Sequence, residues 1–292
     1  MKKLIVEVGS TVTKVDCYDG KKVTNLKNVC LHFKKNYKED NKLSDSDVNE
    51  LICLINELKT EYNEIYVCGT SIFRSLNDDE KNSFLSEFKN KTGFDFNIIT
   101  QEDETRLTVL GACTNVKEKA CVMIGGGGST EISIYDNGIK EISNSNIGVV
   151  DVVEKFPDLS DDLATTSLED VKKYIKDRIN LPKEKVDILI LAGGAHKYFA
   201  LESGITYEKN TLFEDDRAPI MMDIETRKKD TLKYYKETSM DEIRARVDDP
   251  KWWFATRAMC AFALVVAEEL ECKYIIPTDI SMVYGIVKEN RW

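Results

Sequence analysis

Two short stretches carry residue types that could do chemistry: Gly9-Ser10-Thr11, and the glycine run inside IGGGGSTEI at 124–132. Each follows an apolar strand pattern and leads into a second strand pattern instead of a helix. A glycine hairpin of this kind suits an anion. With no Cβ, its amides can approach a phosphate oxygen closely, and the adjacent Ser and Thr hydroxyls add donors. The following strand excludes a dinucleotide fingerprint, and the chain has no G-x-x-x-x-G-K-[ST] sequence. Two hairpins, one in each half of the chain, could grip a phosphate chain from both sides of a cleft. On this reading Gly9, Ser10, Thr11, Gly126, Gly127, Gly128, Ser129 and Thr130 contact phosphate. The competing reading of each hairpin is a tight turn and nothing more.

The elements that must position these loops follow from periodicity. KLIVEVGSTVTKVDCYDGKKVTNLKNVCLHF holds three strand-type runs, with Asp19-Gly20 as a hairpin signal. Ser44 opens a helix whose apolar stripe is Val48, Leu51, Ile52, Ile55 and Leu58. A strand over 64–70, a helix ending at Gly93, a strand FDFNIIT and a helix EDETRLTVLGA complete a first lobe, residues 1–113. The plan then restarts in a second lobe, residues 114–292: strand ACVMI, the glycine turn, and a hairpin through Asn137-Gly138. VDILILAGG at 186–194 reads as a buried strand ending in a second glycine pair, Gly193-Gly194. The polar region 205–250 reads mainly as helices. An apolar helix over 253–272, a strand KYIIP and a helix beginning near Asp279, packing back on the first lobe, follow it.

Composition bounds the function classes. The chain has 292 residues, 42% hydrophobic and 32% charged, with a formal net charge of −10. That balance fits a globular protein and argues against a nucleic-acid partner, which needs a basic face. MKKLIVEVGS offers an apolar run too short for a signal-peptide core, and AFALVVA at 261–267 reads as a buried helix, not a membrane span. Eight separated cysteines without a C-x-x-C pair point to a reducing cytoplasm, and only two histidines, His32 and His196, exist to complete a zinc site. A homodimer stays open.

The paired hairpins resemble the phosphate loops of the sugar kinase/actin-like superfamily, and GGGGSTE resembles the G-G-G-S-T-E loop of its exopolyphosphatase/guanosine pentaphosphate phosphohydrolase family. GTSIFRSLND (69–78), TGFDFNIITQEDETRLTVLGA (92–112), LAGGAHKYFAL (191–201) and IIPTDISMVYGIV resemble further family segments in the same order. The resemblance implies an α/β fold of two actin-like (ribonuclease H-like) lobes, each a mixed five-stranded sheet flanked by helices around a cleft. It also implies removal of a terminal phosphate from a phosphoanhydride chain, a small anionic substrate, with Mg²⁺ or Mn²⁺ as the metal. It puts the catalytic glutamate at Glu104, phosphate contacts at Arg74, Lys14, Gly193 and Gly194, and metal ligands at Glu7 and Glu131. The alternative for Glu104 is an exposed first-turn helix acid, the reading that suits Glu102 and Asp103. Arg106 is either an ion-pair partner or a phosphate ligand.

The departures bear on the metal. The first loop opens with Glu7 where the family has Asp, and Ile124 stands at the Asp that opens the family's second loop. Ala195 and Val283-Tyr284 replace a Thr and an Arg-Glu pair. An apolar side chain cannot ligate a hard cation. A non-catalytic sensor of polyphosphate or guanosine tetra- or pentaphosphate is therefore an alternative to the hydrolase. An ATP-dependent activator or kinase is another, since G-S-T-x-T-K at 9–14 resembles the first loop of activator ATPases; the scattered cysteines do not suggest their iron–sulfur cluster. His196, at a helix start near the glycine pair, is either a structural donor or a phosphate contact. Trp252-Trp253-Phe254 would stack a base or serve as core.

Overall fold

The structure, a computed structural model, describes residues 2–37, 42–202, 207–245 and 250–291. Five strands form the first sheet: β1 (Lys3–Val8), β2 (Val12–Tyr18), β3 (Val23–Cys30), β4 (Ile65–Gly69) and β5 (Phe96–Ile98), ordered β3-β2-β1-β4-β5. β1, β2 and β3 pair antiparallel as hairpins, whereas β4 and β5 join in parallel. The second sheet contains β6 (Ala120–Gly125), β7 (Thr130–Tyr135), β8 (Ile139–Ser145), β9 (Ile188–Ala192), β10 (Glu208–Lys209), β11 (Ile220–Asp223) and β12 (Tyr274–Pro277). Its part β8-β7-β6-β9-β12 repeats the order and directions of the first sheet. This is the actin-like arrangement that the resemblance implies. The second sheet departs from the expected five strands, because β11 and β10 extend it antiparallel beyond β12 to seven.

The helices are α1 (Phe33–Asn36), α2 (Asp45–Leu58), α3 (Asp78–Thr92), α4 (Gln101–Ala112), α5 (Val149–Lys155), α6 (Leu168–Lys176), α7 (Ala195–Glu202), α8 (Ile224–Lys236), α9 (Met240–Arg244), α10 (Thr256–Glu269) and α11 (Met282–Glu289). α2 and α3 cover one face of the first sheet, where Leu4, Val6 and Val8 meet Leu51, Ile55, Phe84 and Phe88. α6 and α10 cover the matching face of the second; α10 is buried from Thr256 to Ala267, as its unbroken apolar run requires. Among the described residues, no helix is long and apolar enough to cross a membrane.

α4 and α11 lie between the sheets. Val109 and Ala112 of α4 pack on Val122, Ile190 and Ile276 of the second sheet. Leu107 of α4 and Met282, Val283 and Ile286 of α11 pack on Ile5 and Cys68 of the first. The two helices cross closely because Gly285 presents no side chain to the Leu107 backbone, which a Cβ there would overlap. The start of α4 is thereby fixed at the junction of the lobes, and Glu104 sits in that first turn.

Candidate active site

The two glycine hairpins face each other across the junction. The turn between β1 and β2 closes with Gly9 N–H donating to Val12 O, and that between β6 and β7 with Gly126 N–H donating to Ser129 O. A Cβ on Gly127 would run into Thr11 Oγ1, and one on Gly128 would lie 2.8 Å from Ser71 Oγ. The bare backbone thus lets the loops touch. The amides of Ser10, Thr11, Gly127 and Gly128 take no backbone carbonyl among the described residues. Such amides are the donors an anion would need. Ser10 is tied down otherwise: its hydroxyl accepts from Ile72 N–H at 3.2 Å.

Thr70 and the short 3₁₀ turn Ser71–Ser75 follow β4, with Ser71 in the left-handed region at φ 50°. A non-glycine residue held there signals a constrained turn. Phe73, buried among Phe33, Phe84 and Phe96, anchors it and delivers Arg74 to the junction. Arg74 Nη1 donates to Glu104 Oε2 at 2.6 Å and to Ile99 O at 3.2 Å, while Nη2 donates to Ser129 Oγ at 3.3 Å and stands 3.5 Å from Glu131 Oε1. One guanidinium therefore joins α4 to the second glycine loop. Glu131 also accepts from Gln101 Nε2 at 2.9 Å.

Glu104 is 7% exposed and Glu131 1%. Burial, and next the charge of Glu131, push the Glu104 carboxyl up to about 8, although Arg74 pulls it down. Burial likewise raises Glu131. Two buried carboxyls sharing one arginine cannot both ionise cheaply.

Glu7 is paired in register with Lys14 and Cys68. Lys14 Nζ stands 3.9 Å from Glu7 Oε1 and donates to Gly193 O at 3.1 Å. Asp16, on the same face of β2, is raised to about 6 by burial first, with Glu7 adding to the effect. Among the described residues no group of three His, Cys, Asp or Glu could by itself hold a metal. Yet Glu7 Oε2 and Glu131 Oε2 are buried without a hydrogen-bond partner. These are hard donors of the type Mg²⁺ takes, and one or two carboxylates plus substrate oxygens and water suffice for it. As chemistry these two oxygens suit a hard cation; Glu7 lines the cleft between the lobes, and Glu131 is not among its lining residues.

The cleft between the lobes has a volume of about 160 Å³ and is lined by Glu7, Lys14 and Glu104, by the hairpin residues Gly9, Ser10, Thr11, Gly126, Gly127 and Ser129, and by Gly193. Its second-lobe wall is more apolar: Val149, Trp253, Phe254 and Met259 stand there with His196. Ile124 also lines it, in register with Glu131 on one side and Ala192 on the other, and packs against the apolar cluster that holds Val109 and Ile280.

Several expected contacts sit differently. Thr130 is fully buried and donates to Ile147 O at 2.7 Å, so its hydroxyl is spent on the fold. The Gly193 and Gly194 amides donate to Ile280 O and Thr278 O, at 2.7 and 3.0 Å. That pair offers no free amides and instead supplies the carbonyl that holds Lys14. Arg106 pairs with Asp103 and Glu289, and Glu102 is exposed, so both lie outside the cleft chemistry. Phe254 lines the cleft, its ring centroid 6.3 Å from that of His32 in the first lobe and inclined to it by 65°; the Trp252 side chain lies outside the described residues. Gln101, Ser71 and Asp16 were not foreseen. Gln101 had a local signal in its place directly before the acidic first turn of α4, but its partner lies 30 residues away.

A model of the Ppx/GppA phosphatase family matches residues 19–243. Among solved structures, the chain is similar to the Aquifex aeolicus member of the Ppx/GppA family, with 19% identity, coverage of 100% of this chain and 97% of that one, and a TM-score of 0.74. An exopolyphosphatase from Cytophaga hutchinsonii aligns at 15% identity over 99% of this chain and 97% of its own, with a TM-score of 0.77. An exopolyphosphatase-like protein aligns at 16% identity over 99% and 98%, with a TM-score of 0.80. These likenesses carry the fold. No curated protein matches the chain.

Proposed function

The chain belongs to the Ppx/GppA phosphatase family, and from that premise we propose that it releases terminal phosphate from polyphosphate or guanosine pentaphosphate by attack of water. The observation that carries the reading is the contact of buried Glu104 with half-buried Arg74, 2.6 Å apart where the two glycine hairpins meet. The loop amides would hold non-bridging oxygens of the last two phosphates. Arg74, now shared between carboxylates, would turn a donor to the terminal phosphoryl group as its charge spreads in the transition state. Glu104 would take a proton from water as the new O–P bond forms and the bridging P–O bond breaks. The shortened chain leaves with the bond's electron pair, and the proton returns to solvent.

Glu104 must be ionised to act, and in the cleft alone its proton is held to about pH 8. A divalent cation held near it, in addition to Arg74, would favour the base form. Glu7 and Glu131, through their unpartnered oxygens, would hold Mg²⁺ or Mn²⁺ together with substrate. When bound, the metal would neutralise phosphate charge and lower the Glu104 carboxyl. The test is phosphate release from long-chain polyphosphate, guanosine pentaphosphate and ATP with each metal. Release from either of the first two supports the reading; no release above blank from any of the three refutes it.

The sensor reading has an observation of its own. Ile124 is packed as an apolar residue at the loop that should supply a metal ligand, and no three-carboxylate cage exists among the described residues. Tight binding of guanosine pentaphosphate in chelator, with no turnover in any metal, would favour it.

A further inference from the structure

One buried titratable group in the cleft wall is left unused by the chemistry above. His196, the second residue of α7, lines the cleft and is 4% exposed. Behind it Arg227 of α8 brings Nη2 to 3.4 Å from His196 Nδ1. Arg227 is 1% exposed and pairs at 3.3 Å with Asp230, which is fully buried. A guanidinium has donors and no acceptor, so Nδ1 must be the acceptor of this contact. The ring then carries its one proton on Nε2, on the edge turned away from Arg227. Burial, and next the Arg227 charge, hold the imidazole well below its ordinary range, so it stays neutral.

The arrangement is expensive as pure architecture. Arg227 Nε and Asp230 Oδ1 are buried without a hydrogen-bond partner, even though Tyr207 also hydrogen-bonds the Asp230 side chain. Each such atom destabilises the fold unless something else is gained. We propose that His196 is a fixed neutral donor that gives its Nε2–H to a non-bridging oxygen of the bound phosphate chain, with Arg227 as the positioning residue that sets the tautomer. This rests on the phosphate-chain reading of the cleft. A neutral donor binds an anion without needing a proton from solvent, and it leaves the count of charges around Glu104 unchanged.

The chain has two histidines, His32 and His196, so long-range ¹H–¹⁵N correlation of the imidazoles resolves both, with His32→Gln giving the assignment. His196 is expected in the Nε2–H form throughout about pH 6 to 8. Tripolyphosphate with Mg²⁺, added to the Glu104→Gln protein to block turnover, should shift Nε2 and its proton. His196→Phe should weaken tripolyphosphate binding about tenfold, and His196→Gln, which returns an amide donor, should recover most of the loss. Arg227→Met should give mixed tautomers; if that variant fails to fold, the spectrum of the unmodified ring still decides. An Nδ1–H form, an imidazolium, an Nε2 indifferent to bound tripolyphosphate, or His196→Phe binding as well as the parent overturns the inference. Failure of the parent protein to bind tripolyphosphate removes the phosphate-chain reading as well, whereas binding with a silent His196 removes this inference alone.

Discussion

The proposed reaction asks two opposed things of Glu104: burial that would give it a protected place beside the phosphorus, and a charge that burial resists. Its carboxyl rises from 4.5 to about 8, so the folded chain holds the proton more tightly than the unfolded chain does. The stabilisation this gives is complete below pH 4.5 and is lost as pH rises through about 8. Denaturant unfolding should therefore show stability declining over that window, by an amount on the order of a few kcal/mol, with Glu104→Gln flattening the decline. Parallel pH curves for the two proteins would contradict this electrostatic picture. Ile124 gives a second test, since it shares its sheet face with Glu131. Ile124→Asp in chelator should lower the melting temperature, with a penalty of about 1–3 kcal/mol, and added Mg²⁺ should restore it. A variant indifferent to Mg²⁺ would remove Ile124 from the metal's neighbourhood. Glu104, Arg74 and Lys14 were legible because the resemblance marks them in short local motifs. Gln101 and the Arg227 behind His196 were not, because their roles are set by partners 30 and 31 positions away.

At the scale of elements, the crossing of α4 and α11 decides where Glu104 stands. A methyl group on Gly285 would meet the backbone of Leu107, which cannot swing aside as a side chain can. Gly285→Ala should cost about 1–3 kcal/mol by overpacking, read from denaturant unfolding, and should lower activity in proportion as α4 shifts. Unchanged stability would mean that the crossing is looser than described. Strands and helices with strong periodicity were readable: the three opening strands, the buried α10, and the Asn137-Gly138 turn with both residues at positive φ. β10 and β11 were missed because two and four residues are too few to establish a period; only their pairing, through β11 to β12, makes them strands. α11 starts at Met282, not near Asp279. Ile280 is held by the Gly193 amide and Asp279 by Lys197 at 2.8 Å, so the chain stays extended there until Ser281 caps the helix.

Across the whole molecule, the lobes meet at the glycine hairpins, at the Arg74 bridge, and at the Lys34–Asp151 ion pair of 3.1 Å between α1 and α5. A phosphate chain would exchange part of this protein–protein contact for contact with itself, so it should lock the lobes together. Saturating tripolyphosphate with Mg²⁺, at about a hundred times its dissociation constant, should add about 2.7 kcal/mol to stability. In Arg74→Ala most of that gain should vanish at the same concentration, as followed by thermal unfolding; an equal gain would take Arg74 out of the site. The pairing of two similar lobes was visible in the repeated strand–Gly-Ser-Thr–strand plan, but the touching loops were not, since contact between them depends on both lobes at once. The most direct measurement of the central claim compares the parent protein with Glu104→Gln for phosphate release and for binding of the same polyphosphate. Loss of a proton acceptor acting mainly in the transition state should lower kcat by about 10²–10⁴ while leaving the dissociation constant within a few-fold. Release by Glu104→Gln at the parent rate, or a loss of binding as large as the loss of rate, would contradict the assignment of Glu104 as the base.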